Sequence, residues 1–168
     1  DVKKPGTRAN TPEPALAALM RLCAPAEKAQ DDARRLMRGW GLAEREGEQV
    51  LARLVRDRFI DDGRYAEAFV RDKLRLSGWG EYKIRTALQR KRIDRELIDA
   101  ALAQADRQDM AGRLRQQLER KMRTTRHTTQ YELKTKLIRY GLSLGYDYET
   151  VLDSAAALVT DTETCDEF

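Results

Sequence analysis

Three segments of this chain can be written beneath one another. "ARRLMRGWGL" from Ala33, "IRTALQRKRI" from Ile84 and "LKTKLIRYGL" from Leu133 follow one plan. An apolar or small residue is followed at once by a basic one (Arg34, Arg85, Lys134). Four positions on lies an apolar anchor (Met37, Leu88, Leu137), and nine positions on another closes the turn (Leu42, Ile93, Leu142). The anchors lie 51 and 49 residues apart, and a second apolar helix follows each one, starting near Val50, Ile98 and Val151. A fixed period of this length means one supersecondary unit repeated. Each unit alone buries little apolar surface, so neighbours must share a core.

The repeat leads to an all-α chain of nine helices and no strand, in three groups of three. The expected organisation is an N-terminal arm over 1–13, helical repeats over 14–60, 61–105 and 106–160, and an acidic tail over 161–168. Pro14 is placed to open the first helix, whose apolar residues are Leu16, Leu19, Met20 and Leu22, and Pro25 to end it and start the next. Gly39 and Gly41 stop the second helix. The third carries Val50, Leu51, Leu54, Val55 and Phe59 on one face. "SGWG" at 77–80 reads as a turn, Asp94 as a cap, and 106–123 as a longer basic helix ended by "TTRHTT". The chain begins at Asp1 rather than Met, so it is expected to be trimmed at its start.

Composition limits the chemistry. Charged residues make up 36% of the 168 positions, and no apolar run approaches the roughly 18 residues of a membrane helix. No signal-peptide pattern opens the chain, and a soluble cytoplasmic monomer is expected. Cys23 reads as a small core residue and Cys165 as a tail thiol, too few for a disulfide framework. His127 is the one histidine, so no metal site is expected. No Gly-rich phosphate loop is present, and no nucleotide or other cofactor is expected.

Charge is unevenly placed. Residues 106–140 carry ten Lys and Arg against four Asp and Glu, whereas 145–168 carry seven acids and no Lys or Arg. A basic segment beside an acidic one suggests a polyanion-facing surface and a tail able to shield it. Arg113, Arg115, Arg120, Lys121, Arg123 and Arg126 crowd one helix and its end, with Leu114, Leu118 and Met122 as its core stripe; they read as a partner or nucleic-acid face. Arg85, Arg90, Lys91, Arg92 and Arg95 form a second patch, which reads equally as a polyanion face or as a solvated one. Trp40, Trp79, Tyr82, Tyr140, Tyr146 and Tyr148 fall near turns, where aromatics close a repeat or, alternatively, stack on bases.

The adjacent aspartates of "FIDDGRYAEAFVRDKL", Asp61 and Asp62, raise the question of catalysis. They stand immediately before a periodic apolar run, where a carboxylate accepts hydrogen bonds from the free N–H groups of a helix start. Neighbouring positions point apart and no second polar partner is near in sequence, so a cap is expected and a hydrolytic carboxylate pair is not.

"IDDGRYAEAFVRDK" followed by "GWGEYKIRTALQRKRIDRELIDAALAQ" closely resembles the RecX family. The resemblance rests on Ile60, Asp61, Asp62, Arg64, Tyr65 and Ala66, then Gly80, Ile84 and Leu88. Lys91-Arg92-Ile93 stands where the family usually has Lys-Gly-Ile, and "KAQDDARRLM" departs from the usual second helix of the first unit. The resemblance implies three tandem three-helix repeats in an elongated, curved array, and no enzymatic activity. It further implies a recombination regulator of DNA repair and the SOS response. Such a protein binds the RecA filament on single-stranded DNA and lowers RecA ATP hydrolysis, strand exchange and co-protease activity. Double-stranded DNA is a further possible partner. The alternative is a stand-alone helical DNA-binding protein with no need of RecA.

Overall fold

The computed structural model describes residues 9–160. The first eight residues of the expected arm, and the tail with Cys165, lie outside them. The described residues form nine α-helices and no strand. They are α1 (Pro12–Cys23), α2 (Gln30–Gly39), α3 (Glu44–Arg56), α4 (Asp62–Asp72), α5 (Glu81–Arg90), α6 (Arg95–Ala103), α7 (Arg107–Thr124), α8 (Gln130–Ser143) and α9 (Tyr148–Leu158). One π-helical turn, Lys73–Ser77, continues α4. Two compact units are formed, one by 9–68 with 88–101 and the other by 69–87 with 102–160.

In the first unit α1 and α2 both pack on α3. Ala15, Leu16 and Leu19 meet Ala33, Met37, Val50, Leu51 and Leu54, with Leu42 and Ile60 closing the ends. Four details differ from the sequence reading. Helix α1 starts at Pro12 rather than Pro14, because proline's fixed φ and missing N–H suit the first turn. Helix α2 starts at Gln30, so Pro25 lies in the connection and starts nothing. Phe59 is not on α3: Arg58 turns left-handed (φ 60°), and the Phe59 N–H returns to the Leu54 carbonyl. Val55 points outward and is exposed.

The second unit is built on mutual packing of α7, α8 and α9. Leu114 and Leu118 of α7 meet Leu133 and Leu137 of α8 and Val151 and Ala155 of α9. Each of the three helices has a side-chain cap, which satisfies N–H groups the helix itself leaves unpaired. Asp106 accepts from Gln108 N–H (2.8 Å), Thr129 Oγ1 from Glu132 N–H (3.1 Å) and Asp147 from Thr150 N–H (2.9 Å).

The repeated segments end alike. A left-handed residue follows each helix (Gly41, φ 82°; Arg92, φ 55°; Gly145, φ 95°). The next residue sends its N–H back: Leu42 to Met37, Ile93 to Leu88, Tyr146 to Gly141. This is the left-handed helix stop, with a buried apolar residue after it. In the third segment it comes one turn late. Leu142 was expected to close that turn, yet it lies on α8 and is exposed, and Tyr146 is buried instead.

Candidate functional site

Asp61 and Asp62 divide two structural tasks within the first unit. Asp61 Oδ1 accepts the Arg64 N–H at 3.0 Å, capping α4. Asp62 Oδ1 accepts the N–H of Gln30, first residue of α2, at 2.8 Å. Burial raises the Asp62 pKa, partly offset by that backbone N–H. The same helix start is served from within by Asp32, which accepts the Ala29 N–H at 3.3 Å. Asp32 is the buried charged residue of the described chain, and Arg35 and Lys91 pair with it. Arg64 completes the assembly with a two-toothed ion pair to Glu27 at 3.0 and 3.2 Å. Every carboxylate in this group is held by hydrogen bonds or cations, an arrangement that orders helix ends.

The second basic patch is largely engaged by carboxylates. Lys91 pairs with Asp32, Arg92 lies 3.8 Å from Asp31 and Arg95 3.8 Å from Asp99, all in the first unit. Arg85, in the second unit, pairs with Glu81 at 3.2 Å. Arg90 is exposed. Ile84 and Leu88 are fully buried and Ala66 is too, so these motif positions serve packing.

The basic helix is different. Arg113, Gln116, Gln117, Arg120, Lys121 and Thr124 fall on one side of α7 and, with Arg75, Leu76, Gly78 and Tyr140, line an open cleft of about 530 Å³. Arg75 comes from the π-helical turn and stands outside the basic segments that the sequence marks. The turn is fixed to α7 by the Gln117 amide, which donates to the Gly78 carbonyl at 3.2 Å. A second cleft, sharing Lys121, Thr124 and Tyr140, adds Arg126, Lys136 and Arg139. Among the described residues, no carboxylate lines either cleft. Among the described residues, none lies within ion-pair distance of Arg75, Arg120, Lys121, Arg126 or Arg139. Arg113 is paired with Asp109 (2.8 Å) and Lys136 with Glu132 (2.6 Å). That Lys136 bond, with two from Thr128, lowers the Glu132 pKa to about 2. Arg115 and Arg123 are exposed but line neither cleft.

The aromatics separate into roles. Trp79 lies between two ammonium groups, Lys73 at 4.5 Å and Lys83 at 4.6 Å from the ring centroid, with Phe69 against its edge. Lys121 sits 5.2 Å from the Tyr140 ring, a cation–π contact inside the cleft wall. Tyr146 is buried and donates to the Met110 carbonyl at 3.3 Å. Tyr82 and Tyr148 are exposed and close nothing. Trp40 packs half-buried on the first core.

Residues 61–102 match the family model described as RecX, second three-helix domain, and residues 108–153 that described as RecX, third three-helix domain, together just over half of the chain. The chain belongs to the RecX family. A Regulatory protein RecX from Clostridium botulinum (strain Eklund 17B / Type B) is 33% identical over 97 residues, which cover 56% of this chain and 45% of that protein. One from Serratia proteamaculans (strain 568) is 33% identical over 104 residues, covering 62% and 60%. The chain spans about half the length of the curated relatives it matches. The crystal structure of RecX from Lactobacillus salivarius superposes with a TM-score of 0.76 at 19% identity, over 86% of this chain and 94% of that one, a likeness of fold. RecX relatives are named as regulatory proteins, and no helix among the described residues is long and apolar enough to cross a membrane.

Proposed function

We propose that this RecX-family chain is a regulator that binds the RecA filament on single-stranded DNA and restrains RecA recombinase, ATPase and co-protease activity. The observation that carries the reading is the pair of basic clefts, whose cations include several with no carboxylate partner among the described residues. These are Arg75, Arg120, Lys121, Arg126 and Arg139, and phosphate neutralisation by such groups is favourable and salt-dependent. Membership of the RecX family supports RecA as the partner. The three trios α1–α3, α4–α6 and α7–α9 act as tandem repeats, the clefts of the last facing nucleic acid in the filament. The proposed role is one of binding, a reading supported by the commitment of the paired aspartates to helix ends. The cytoplasm, where RecA works, is the proposed location.

The test is RecA-catalysed, single-strand-dependent ATP hydrolysis with increasing amounts of the folded full chain. Hydrolysis should fall at amounts equal to RecA or below. No effect across a full dose series with cognate RecA would remove the reading. Tight DNA binding without any effect on RecA would instead support a stand-alone DNA-binding protein.

A further inference from the structure

The strongly acidic end of the chain follows in sequence on the unit that carries the basic clefts. Asp161, Glu163, Asp166 and Glu167 fall within eight residues that contain no Lys or Arg. Helix α9 fixes where that segment departs. A short turn joins α8 to α9, and Val151 packs on Gly141, so α9 runs back along α8. Leu158, seven residues beyond Val151, lies about 10 Å further along, roughly level with the first half of α8. That half also carries Lys136, whose ammonium donates to the Arg126 carbonyl at 2.7 Å, beside Arg139 in the second cleft. Val159 is buried against the core and pins the departure point there. Eight extended residues reach about 26 Å, enough to pass around α8 and lie across Arg126, Arg139 and Lys121.

Charge on both sides agrees. Arg120, Lys121, Arg126 and Arg139 have no carboxylate partner among the described residues, and four carboxylates follow Val159 within eight positions in sequence. At such short tether lengths the local concentration of the segment is in the millimolar range. A weak, screened attraction then suffices to occupy the surface at low salt.

We propose that the segment Asp161–Phe168 docks on the basic surface around Lys121, Arg126 and Arg139 and competes there with nucleic-acid phosphate. The competition rests on the polyanion reading given above; the docking itself does not. Occupied clefts make the protein selective. Isolated phosphates must displace the segment and gain little, whereas a continuous polyanion that engages both clefts at once displaces it.

Two measurements divide these statements. The first carries a spin label on Cys165 in a Cys23→Ser background and reads paramagnetic broadening of amide signals in the full chain without nucleic acid. Broadening should concentrate at Arg120–Arg126 and Lys136–Tyr140 and fade in high salt. Signals there no broader than those of exposed residues in the first unit would overturn the docking. The second neutralises the segment (Asp161→Asn, Glu163→Gln, Asp166→Asn, Glu167→Gln) and measures binding of an oligo-dT single strand by anisotropy. Affinity should rise several-fold at low salt, with the gain lost at high salt and in an added Lys121→Glu, Arg126→Glu pair. Equal affinities would overturn the competition. Local broadening in a chain that binds no oligo-dT in either form would support the docking and sink the nucleic-acid reading.

Discussion

The carboxylate of Asp62, first residue of α4, accepts the backbone N–H of Gln30, first residue of α2, at 2.8 Å across 32 positions of sequence. One helix start thus completes another. The bond uses a single acceptor oxygen, which an amide side chain also supplies. Burial raises the Asp62 pKa, so the folded state holds its proton to higher pH than the unfolded chain does. The stability contribution is therefore full below the ordinary aspartate value of 3.8 and is lost as pH rises through the raised folded value. Asp62→Asn should be neutral or stabilising at pH 7, and its melting temperature should decline less than that of wild type as pH rises from about 4. Asp62→Ala leaves the Gln30 N–H unpaired and should cost about 1–3 kcal/mol. Thermal melts of the three proteins from pH 4 to 7 check both statements. Restraint of RecA lost in Asp62→Asn at unchanged stability would show that the carboxylate is functional.

Arg92 occupies a left-handed conformation that glycine adopts freely and other residues enter at a cost of about 1–2 kcal/mol. Its ion pair with Asp31 is long, at 3.8 Å, and its own side chain is exposed, so the pair contributes little. Arg92→Gly should raise stability by about 0.5–1 kcal/mol, a few degrees in melting temperature. DNA and filament binding should stay unchanged. Weakened binding in this variant would place Arg92 on the partner surface.

Gly80 and Gly145 meet backbone to backbone. The Gly80 N–H donates to the Leu144 carbonyl at 2.7 Å and the Tyr82 N–H to the Gly145 carbonyl at 2.9 Å. A methyl group on Gly80 would lie 2.6 Å from the carbonyl of Gly145 and the nitrogen of Tyr146. Backbone cannot yield as a flexible side chain can, so Gly80→Ala should cost about 3 kcal/mol. Denaturant titration should show the loss, and a midpoint equal to wild type would mean that this approach is loose in solution.

Cleft geometry sorts the basic residues of α7. Arg75→Glu with Arg120→Glu should weaken single-strand binding and flatten its salt dependence by a slope of about 0.7 for each phosphate no longer neutralised. Arg115→Glu with Arg123→Glu, the same change in charge outside the clefts, should do much less. Equal losses in both pairs would mean that overall charge, and not the clefts, sets the affinity.

Much of the fold is legible in the residues alone. The anchors Met37, Leu88 and Leu137 are buried, and the described residues form the nine helices expected, with shifted bounds for α1, α2 and α3. The third closing residue is easily misplaced because "YGLSLGY" offers two glycine–apolar pairs. Gly141 is needed for space alone, since a methyl there would lie 2.7 Å from Val151, whereas Gly145 is needed both for its positive φ and for space, since a methyl there would lie 2.4 Å from Lys83. Sequence shows the glycine and not which need it meets. Arg75 escapes notice because it joins α7 only through a π-helical turn nearly forty residues earlier. Exposed Leu76, breaking the apolar stripe beside it, is the available signal. The Lys91–Asp32 pairing joins positions 59 apart, a distance over which charge counting along the chain is blind.

The left-handed stops at 41, 92 and 145 lie 51 and 53 residues apart, although the anchors before them lie 51 and 49 apart. The difference of four residues is one helical turn plus about 40°. A helix lengthened by four keeps nearly the same side toward the core, while one lengthened by two would turn its apolar stripe outward. Inheritance in this architecture is therefore quantised: drift in length after duplication survives in whole turns, and relatives should differ along α8 by three, four or seven residues and rarely by one or two.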